Sequence, residues 1–319
     1  MEQVDAGRDE CADEIAPIAR GFLLALALPS VAVLLLDTQK AGGALKILAE
    51  IATLPAFIAV AGWVMGPSIV ATARSSFLRA IAPAALCGVT GALVAGAAAL
   101  PTGHDWRYGL MQAAPAWTLP LLTATYAATA RALRHSPFAR FLLAAVAHVA
   151  GVVSDTPMLT YFIYFAAGLA LVSRRTTLLR IADEEQEFAI GSGPLLATLA
   201  AAAAFRFAQT GHAASLAAVG PIALAIGLVA GPAALACASA LRGSTVGAAF
   251  AGLGRAAPAL AIFWLPLFSL LIAAANRGAP PSVASALLMA TASLLFIVVL
   301  VDVLKGAEKT RLGRLFAPS

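Results

Sequence analysis

Residues 18–31 read IARGFLLALALPSV. A cation, Arg20, stands at the entrance to an apolar run, and Val31 lies about 16 Å farther on if the run is helical at 1.5 Å per residue. The run has the character of a membrane span, which needs roughly 18 to 25 apolar residues to cross about 30 Å of hydrocarbon. Comparable runs recur to the end of the chain, separated by short polar breaks. Hydrophobic residues make up 61% of the sequence and charged residues 12%, against roughly 25% charged in an average soluble domain. The expected class is therefore an all-α, polytopic membrane bundle.

The pattern predicts about ten spans, near 17–36, 45–65, 77–100, 110–130, 138–153, 158–173, 189–208, 214–241, 256–275 and 282–304. Residues 1–16 form an acidic leading segment, 17–304 the membrane domain and 305–319 a basic tail. Span eight contains Gly220-Pro221 and Gly231-Pro232, so it reads either as one long tilted helix or as two segments broken at the second pair. An even count puts both termini on one side, and charge selects that side. Sixteen of the 21 Lys and Arg residues fall there, leaving Lys40, Lys46, Arg107, Arg206 and Arg277 opposite. The excess of cations marks the cytoplasmic face, so the expected location is the inner (plasma) membrane with both termini in the cytoplasm.

The leading segment is acidic rather than basic and no small-residue cleavage site follows the first span, so no signal peptide is read. The net charge of +5 is accounted for by the cations of the short loops and does not indicate nucleic-acid binding. Cys11, Cys87 and Cys237 are far apart and suggest neither a metal site nor a disulfide framework. The loop at 173–188, with its charge run RRTTLLRIADEEQE, reads as a solvated cytoplasmic connector.

Few side chains are equipped for chemistry. His104, His135 and His212 lie in or beside loops, where solvent or headgroups satisfy them. His148, in FLLAAVAHVAGV, sits mid-span, and an ionisable group at membrane depth marks a functional candidate. A hydrogen bond to a neighbouring helix is the simpler account of it. Asp155 offers a partner for His148, or else a helix N-cap before Pro157. Arg206 can snorkel to the far interface and Glu50 can pair with Lys46. No nucleophile elbow, phosphate-binding loop or metal-ligand cluster occurs.

Six collinear stretches nevertheless resemble the membrane acyltransferase family 3, ten-helix bacterial proteins that include polysaccharide O-acetyltransferases. Arg20 matches the family's Arg in span one, with Val31 in the place of its His. TLPAFIAVAG (53–62) is similar to the family's H-M-P-x-F-F-x-x-S-G, with Thr53 for the His and Ala61 for the Ser. SSFLRAIAP (75–83) keeps Arg79 and Pro83, WTLPLL (117–122) resembles W-F-L-P-x-L, and YFIYFAAGLAL (161–171) resembles Y-x-x-x-F-x-x-G. LGRAAPALAIFWLPL (253–267) resembles the late L-G-x-x-S-L-x-I-Y-x-x-H, with Ala257, Phe263 and Pro266 at the polar positions.

The resemblance implies transfer of an acetyl or other short acyl group from a donor such as acyl-CoA to a glycan or lipid-linked sugar, with no bound cofactor and no metal. It implies Arg20 and Arg79 as donor-phosphate contacts, since guanidinium forks match phosphate oxygens; the plainer alternative for both is an anchor that meets lipid phosphate at the cytoplasmic face. Scaffold residues survive while Val31, Thr53 and Pro266 replace the family's histidines, which leaves His148 as the intramembrane base. Two alternatives stand beside this reading. One is a relative that has lost its chemistry and binds lipid, glycan or a partner; the other is a secondary transporter, suggested by Gly-Pro-broken spans and opposed by the scarcity of intramembrane carboxylates.

Overall fold

The computed structural model describes residues 14–25, 53–71, 73–100, 105–107, 114–154, 156–174 and 216–257, with isolated positions at 110, 184 and 191. Among these residues every regular element is helical and there is no strand. The helices are α1 (14–25), α2 (Leu54–Val70), α3 (Arg74–Ala99), α4 (Ala114–Ala132), α5 (Pro137–Val153), α6 (Pro157–Thr160), α7 (Phe162–Leu171), α8 (Leu216–Ala240) and α9 (Thr245–Arg255). Val31, Pro266, Asp155, His104, His212, Arg206, Glu50 and the expected spans seven, nine and ten lie outside the described residues, save for isolated edge positions of those spans.

α2 is the central helix. It is apolar around its whole circumference, the pattern of a helix covered on all sides, and it serves two cores. Its Ala56, Val60 and Trp63 join Ile15, Ile18 and Leu23 of α1, Leu235 of α8 and Ala251 of α9 in the first. Its Ile58 and Ile69 join Tyr126 of α4, Ala144 of α5 and Phe162 and Phe165 of α7 in the second. Glycines set how closely the helices approach. A Cβ on Gly62 would meet the Phe165 carbonyl, one on Gly168 the Ala59 carbonyl, and one on Gly231 the Ala59 side chain. Ala59 is thus pinched between α7 and α8. Close approach through small residues is how helices gain contact where hydrophobic burial no longer favours association.

α1 crosses α9 in the same manner: a Cβ on Gly21 would strike the Phe250 carbonyl and one on Gly254 the Pro17 carbonyl. Phe22 and Phe250 close the crossing edge to face, with ring centroids 5.8 Å apart. Residues 242–255 were expected to connect two spans, so α9 is an addition to the sequence reading. Its start is encoded locally. Gly243 takes a left-handed φ of 74°, and the Ser244 side chain then caps the helix by accepting from the Gly247 N–H at 2.9 Å.

Span eight resolves as the single-helix alternative, since α8 runs unbroken through Gly231-Pro232. Span six departs the other way, broken at Tyr161 between α6 and α7. The expected second span ends later than the sequence suggested: α2 continues past Gly66-Pro67 to Val70.

One described helix, over Arg74–Ala97, is long and apolar enough to cross a membrane. α5 is shorter but has a revealing polarity. Its buried stripe is small or polar, namely Ala144, His148 and Gly151, whereas Phe138 is 77% exposed and Val153 82%, with Leu142, Val146 and Val149 also outward. A contiguous outward apolar face of this kind marks contact with another molecule or with lipid. Helical hydroxyls are satisfied internally as well: Thr90, Thr123, Thr125 and Thr129 donate to the carbonyls of Leu86, Leu119, Leu121 and Thr125.

Candidate functional site

His148 is buried, and its setting follows from how α5 ends. Ser154 Oγ donates back to the Ala150 carbonyl at 2.7 Å, and the Thr156 N–H donates to the Gly151 carbonyl at 2.8 Å, so the chain reverses sharply after Val153. The reversal lays α6 on α5 at Gly151, where a Cβ would sit 2.5 Å from both the N and the Oγ1 of Thr160. Glycine is required by that approach rather than by its backbone angles. Thr160 is brought beside the next residue up the α5 stripe.

The break at Tyr161 then completes the contact. In a continuous helix the Tyr164 N–H would donate to the Thr160 carbonyl; here it donates to the Tyr161 carbonyl instead, at 3.2 Å. The Thr160 carbonyl is freed, and His148 Nδ1 lies 2.8 Å from it. A carbonyl oxygen only accepts, so Nδ1 carries the proton and Nε2 of the neutral ring keeps its lone pair. Backbone anchoring of one ring nitrogen fixes the tautomer in which the other can take a proton.

The second wall is aromatic. Tyr164, buried on α7, stands edge to face with the His148 ring at 6.0 Å and 83°, and Tyr161 lies 6.1 Å from Tyr164. On the far side, a Cβ on Gly227 of α8 would come within 2.5 Å of the Tyr164 ring and 3.0 Å of Pro55 Cβ. Pro55 lies in the first turn of α2, which starts directly after the buried Thr53. His148, Thr160, Tyr164 and the α2 entrance thus form one buried neighbourhood built from α2, α5, α6, α7 and α8.

The other expected site residues stand apart from it. Arg20 is half-buried on α1, whose neighbouring Ile18, Ala19 and Leu23 pack in the first core, not the one containing Tyr164. Arg79 is exposed on α3, with Nε 3.5 Å from the Ser75 carbonyl of its own helix. Among the described residues neither makes a hydrogen bond or ion pair to His148. His135 accepts from Arg134 Nε at 2.9 Å in the α4–α5 turn. Cys87 and Cys237 are buried, and among the described residues no three His, Cys, Asp or Glu side chains gather as metal ligands.

Sequence reasoning overlooked Arg131. Its Nη1 donates to the carbonyls of Ser68, Ile69 and Ala71, at 3.0, 3.4 and 2.9 Å, and its guanidinium lies 4.7 Å over the Phe77 ring. These carbonyls end α2, where the helix has run out of its own donors. A residue legible only as a topological cation is a cross-link between α2, α3 and α4. Nothing local announces it, since the partners are about sixty residues away.

Comparison with protein-family models, with curated proteins and with solved structures gives no match.

Proposed function

We propose that this chain is a multi-pass membrane protein of the acyl-transfer kind, with His148 as its base. A sugar hydroxyl of a glycan or lipid-linked acceptor attacks the carbonyl carbon of an acyl thioester. Nε2 of His148 takes the hydroxyl proton as the new ester bond forms, and the thiolate leaves and regains that proton. General-base help of this sort contributes on the order of 10²–10⁴-fold.

The observation that carries the reading is the His148–Thr160 contact at 2.8 Å. It presents a buried imidazole with a defined tautomer beside a buried tyrosine, in a core that also buries the hydroxyl side chains of Thr53, Thr160 and Ser239. The outward apolar face of α5, the 24-residue apolar stretch Arg74–Ala97 and the back-bonded threonines support a lipid setting. Arg131 and Arg134 both reach the Ala71 carbonyl, which supports placing the α2–α3 and α4–α5 turns in one compartment, the cytoplasm by charge. The resemblance set out above supplies the reaction class.

A second reading, a relative that binds donor or acceptor without turnover, is favoured by a separate observation: Arg20 and Arg79 do not meet His148. The two separate in one assay. The protein in nanodiscs is given labelled acyl-CoA and a cell-envelope glycan extract, beside an active membrane acyltransferase. Labelled glycan supports the enzyme; binding without product selects the second reading; neither binding nor product removes both. Proton-driven solute uptake into liposomes, indifferent to acyl-CoA, would indicate transport.

A further inference from the structure

The stretch Arg74–Ala97 of α3 is long and apolar enough to cross a membrane, yet only 28% of its most apolar eighteen residues are buried. The apolar core helix of a water-soluble protein is covered on all sides, and this one has an uncovered face. Leu78, Ala82, Leu86, Val89, Leu93 and Ala97 are all exposed, at spacings of four, four, three, four and four residues, which is one side of a helix. The stripe runs about 29 Å by helix rise, close to the roughly 30 Å of bilayer hydrocarbon. Thr90 beside it turns its hydroxyl back on the helix, donating to the carbonyls of Leu86 and Cys87.

The stripe is covered at one place. Gly96 lies seven residues past Val89 and so on the same side, but it is buried, because the indole of Trp106 lies on it: a Cβ at Gly96 would strike the six-membered part of that ring. Trp106 itself is 40% exposed, and Asp105 and Arg107 on either side of it are exposed too. Arg74 and Arg79 stand exposed at the other end of the helix, the cytoplasmic end by charge. An indole has an apolar body and a polar N–H, which is why tryptophan collects where hydrocarbon meets headgroups. We propose that Trp106 is an interfacial anchor: its ring sits at headgroup level on the side opposite the cytoplasm, and the stripe from Leu78 to Leu93 meets the acyl chains of the bilayer. Lipid is the partner that fits, because an apolar stripe of membrane length ends in cations on one side and in a half-exposed indole between two exposed charged residues on the other. The proposal rests on the membrane reading of the chain and not on acyl transfer.

Two measurements on the full chain in nanodiscs test it. In the native sequence, tryptophan fluorescence is quenched with phospholipids brominated at different acyl depths, and Trp106→Phe identifies the share that belongs to Trp106. That share should be largest with bromine nearest the headgroup and fall toward the chain ends. A share largest at the chain ends, or none at any depth, overturns the anchor. In a chain whose Cys11, Cys87 and Cys237 are replaced by alanine, a nitroxide is attached at Leu86→Cys, Leu93→Cys or Arg107→Cys. The first two labels should collide with oxygen several-fold more than with a water-soluble nickel chelate, and the third should reverse that order. Labels at Leu86→Cys and Leu93→Cys shielded from both relaxants would mean that protein covers the stripe, which overturns the lipid contact and leaves the membrane reading standing. Labels open to the nickel chelate at all three positions would remove both. Neither readout involves turnover, so an absent transferase activity does not bear on the result.

Discussion

His148 Nδ1 meets the Thr160 carbonyl at 2.8 Å because the helix that should have used that carbonyl is interrupted one residue later. The imidazole stands in for the missing Tyr164 amide. Two irregularities, the reversal after α5 and the break at Tyr161, place a titratable ring on a backbone acceptor inside the bundle.

If His148 is the base, His148→Ala abolishes acyl transfer while the protein remains folded in detergent. It also leaves the Thr160 carbonyl without its partner, so the melting transition should fall by an amount corresponding to about 1–3 kcal/mol. His148→Asn, whose amide can still donate, should recover part of the stability and none of the turnover. Full turnover in either variant would assign the base elsewhere.

The α2–α7 crossing is intolerant of a single methyl group. Gly168→Ala drives a Cβ into the Ala59 carbonyl and should destabilise by about 1–3 kcal/mol, the range for overpacking. Gly252→Ala on α9, where a Cβ meets nothing within 4 Å, should be neutral or stabilise by up to about 1 kcal/mol through helix propensity. Thermal denaturation of the two variants side by side checks the contrast; equal melting temperatures would contradict it.

Arg131 ties three helices together through its fork. Arg131→Lys keeps the charge but loses the planar donor set, and Arg131→Met loses both. Destabilisation should grow in that order, reaching roughly 1.5–3 kcal/mol for loss of hydrogen bonds from a charged donor. A topological cation with no structural task would show no difference between Lys and wild type in the same melt.

The lipid-facing assignment of α5 can be tested by a charge. Val149→Arg places a cation on the outward apolar face and, within a bilayer, should cost about 2.5–3.5 kcal/mol in insertion near the centre of a span. Glycosylation-based insertion assays of residues 137–153 would read it. Insertion equal to wild type would show that this face meets water.

Legibility in the sequence was uneven for a physical reason. Apolar run length is a local property, and α3, α4 and α5 fall close to where it put them. The entry to α9 is also local, a glycine turn followed by a serine cap, although hydropathy alone passed over it. Arg20 and Arg79 were singled out by their positions along the chain, and those positions say nothing of what the side chains touch. His148 was visible as a buried titratable group, and the simpler account of it, a hydrogen bond to a neighbouring helix, holds, with the Thr160 carbonyl of α6 as the acceptor.

By itself, the sequence determined that the described chain is helical and where most of those helices run, because hydrophobic period and length act within a few turns. Tertiary structure decided which cation closes the end of α2 and which backbone carbonyl His148 receives. Those outcomes depend on contacts between segments twelve to sixty residues apart, and on glycines whose value lies in the backbone that approaches them. Arg20, expected at a helix entrance, lies within α1 (14–25), more than a turn past its first described residue, while the buried histidine has its setting on α5.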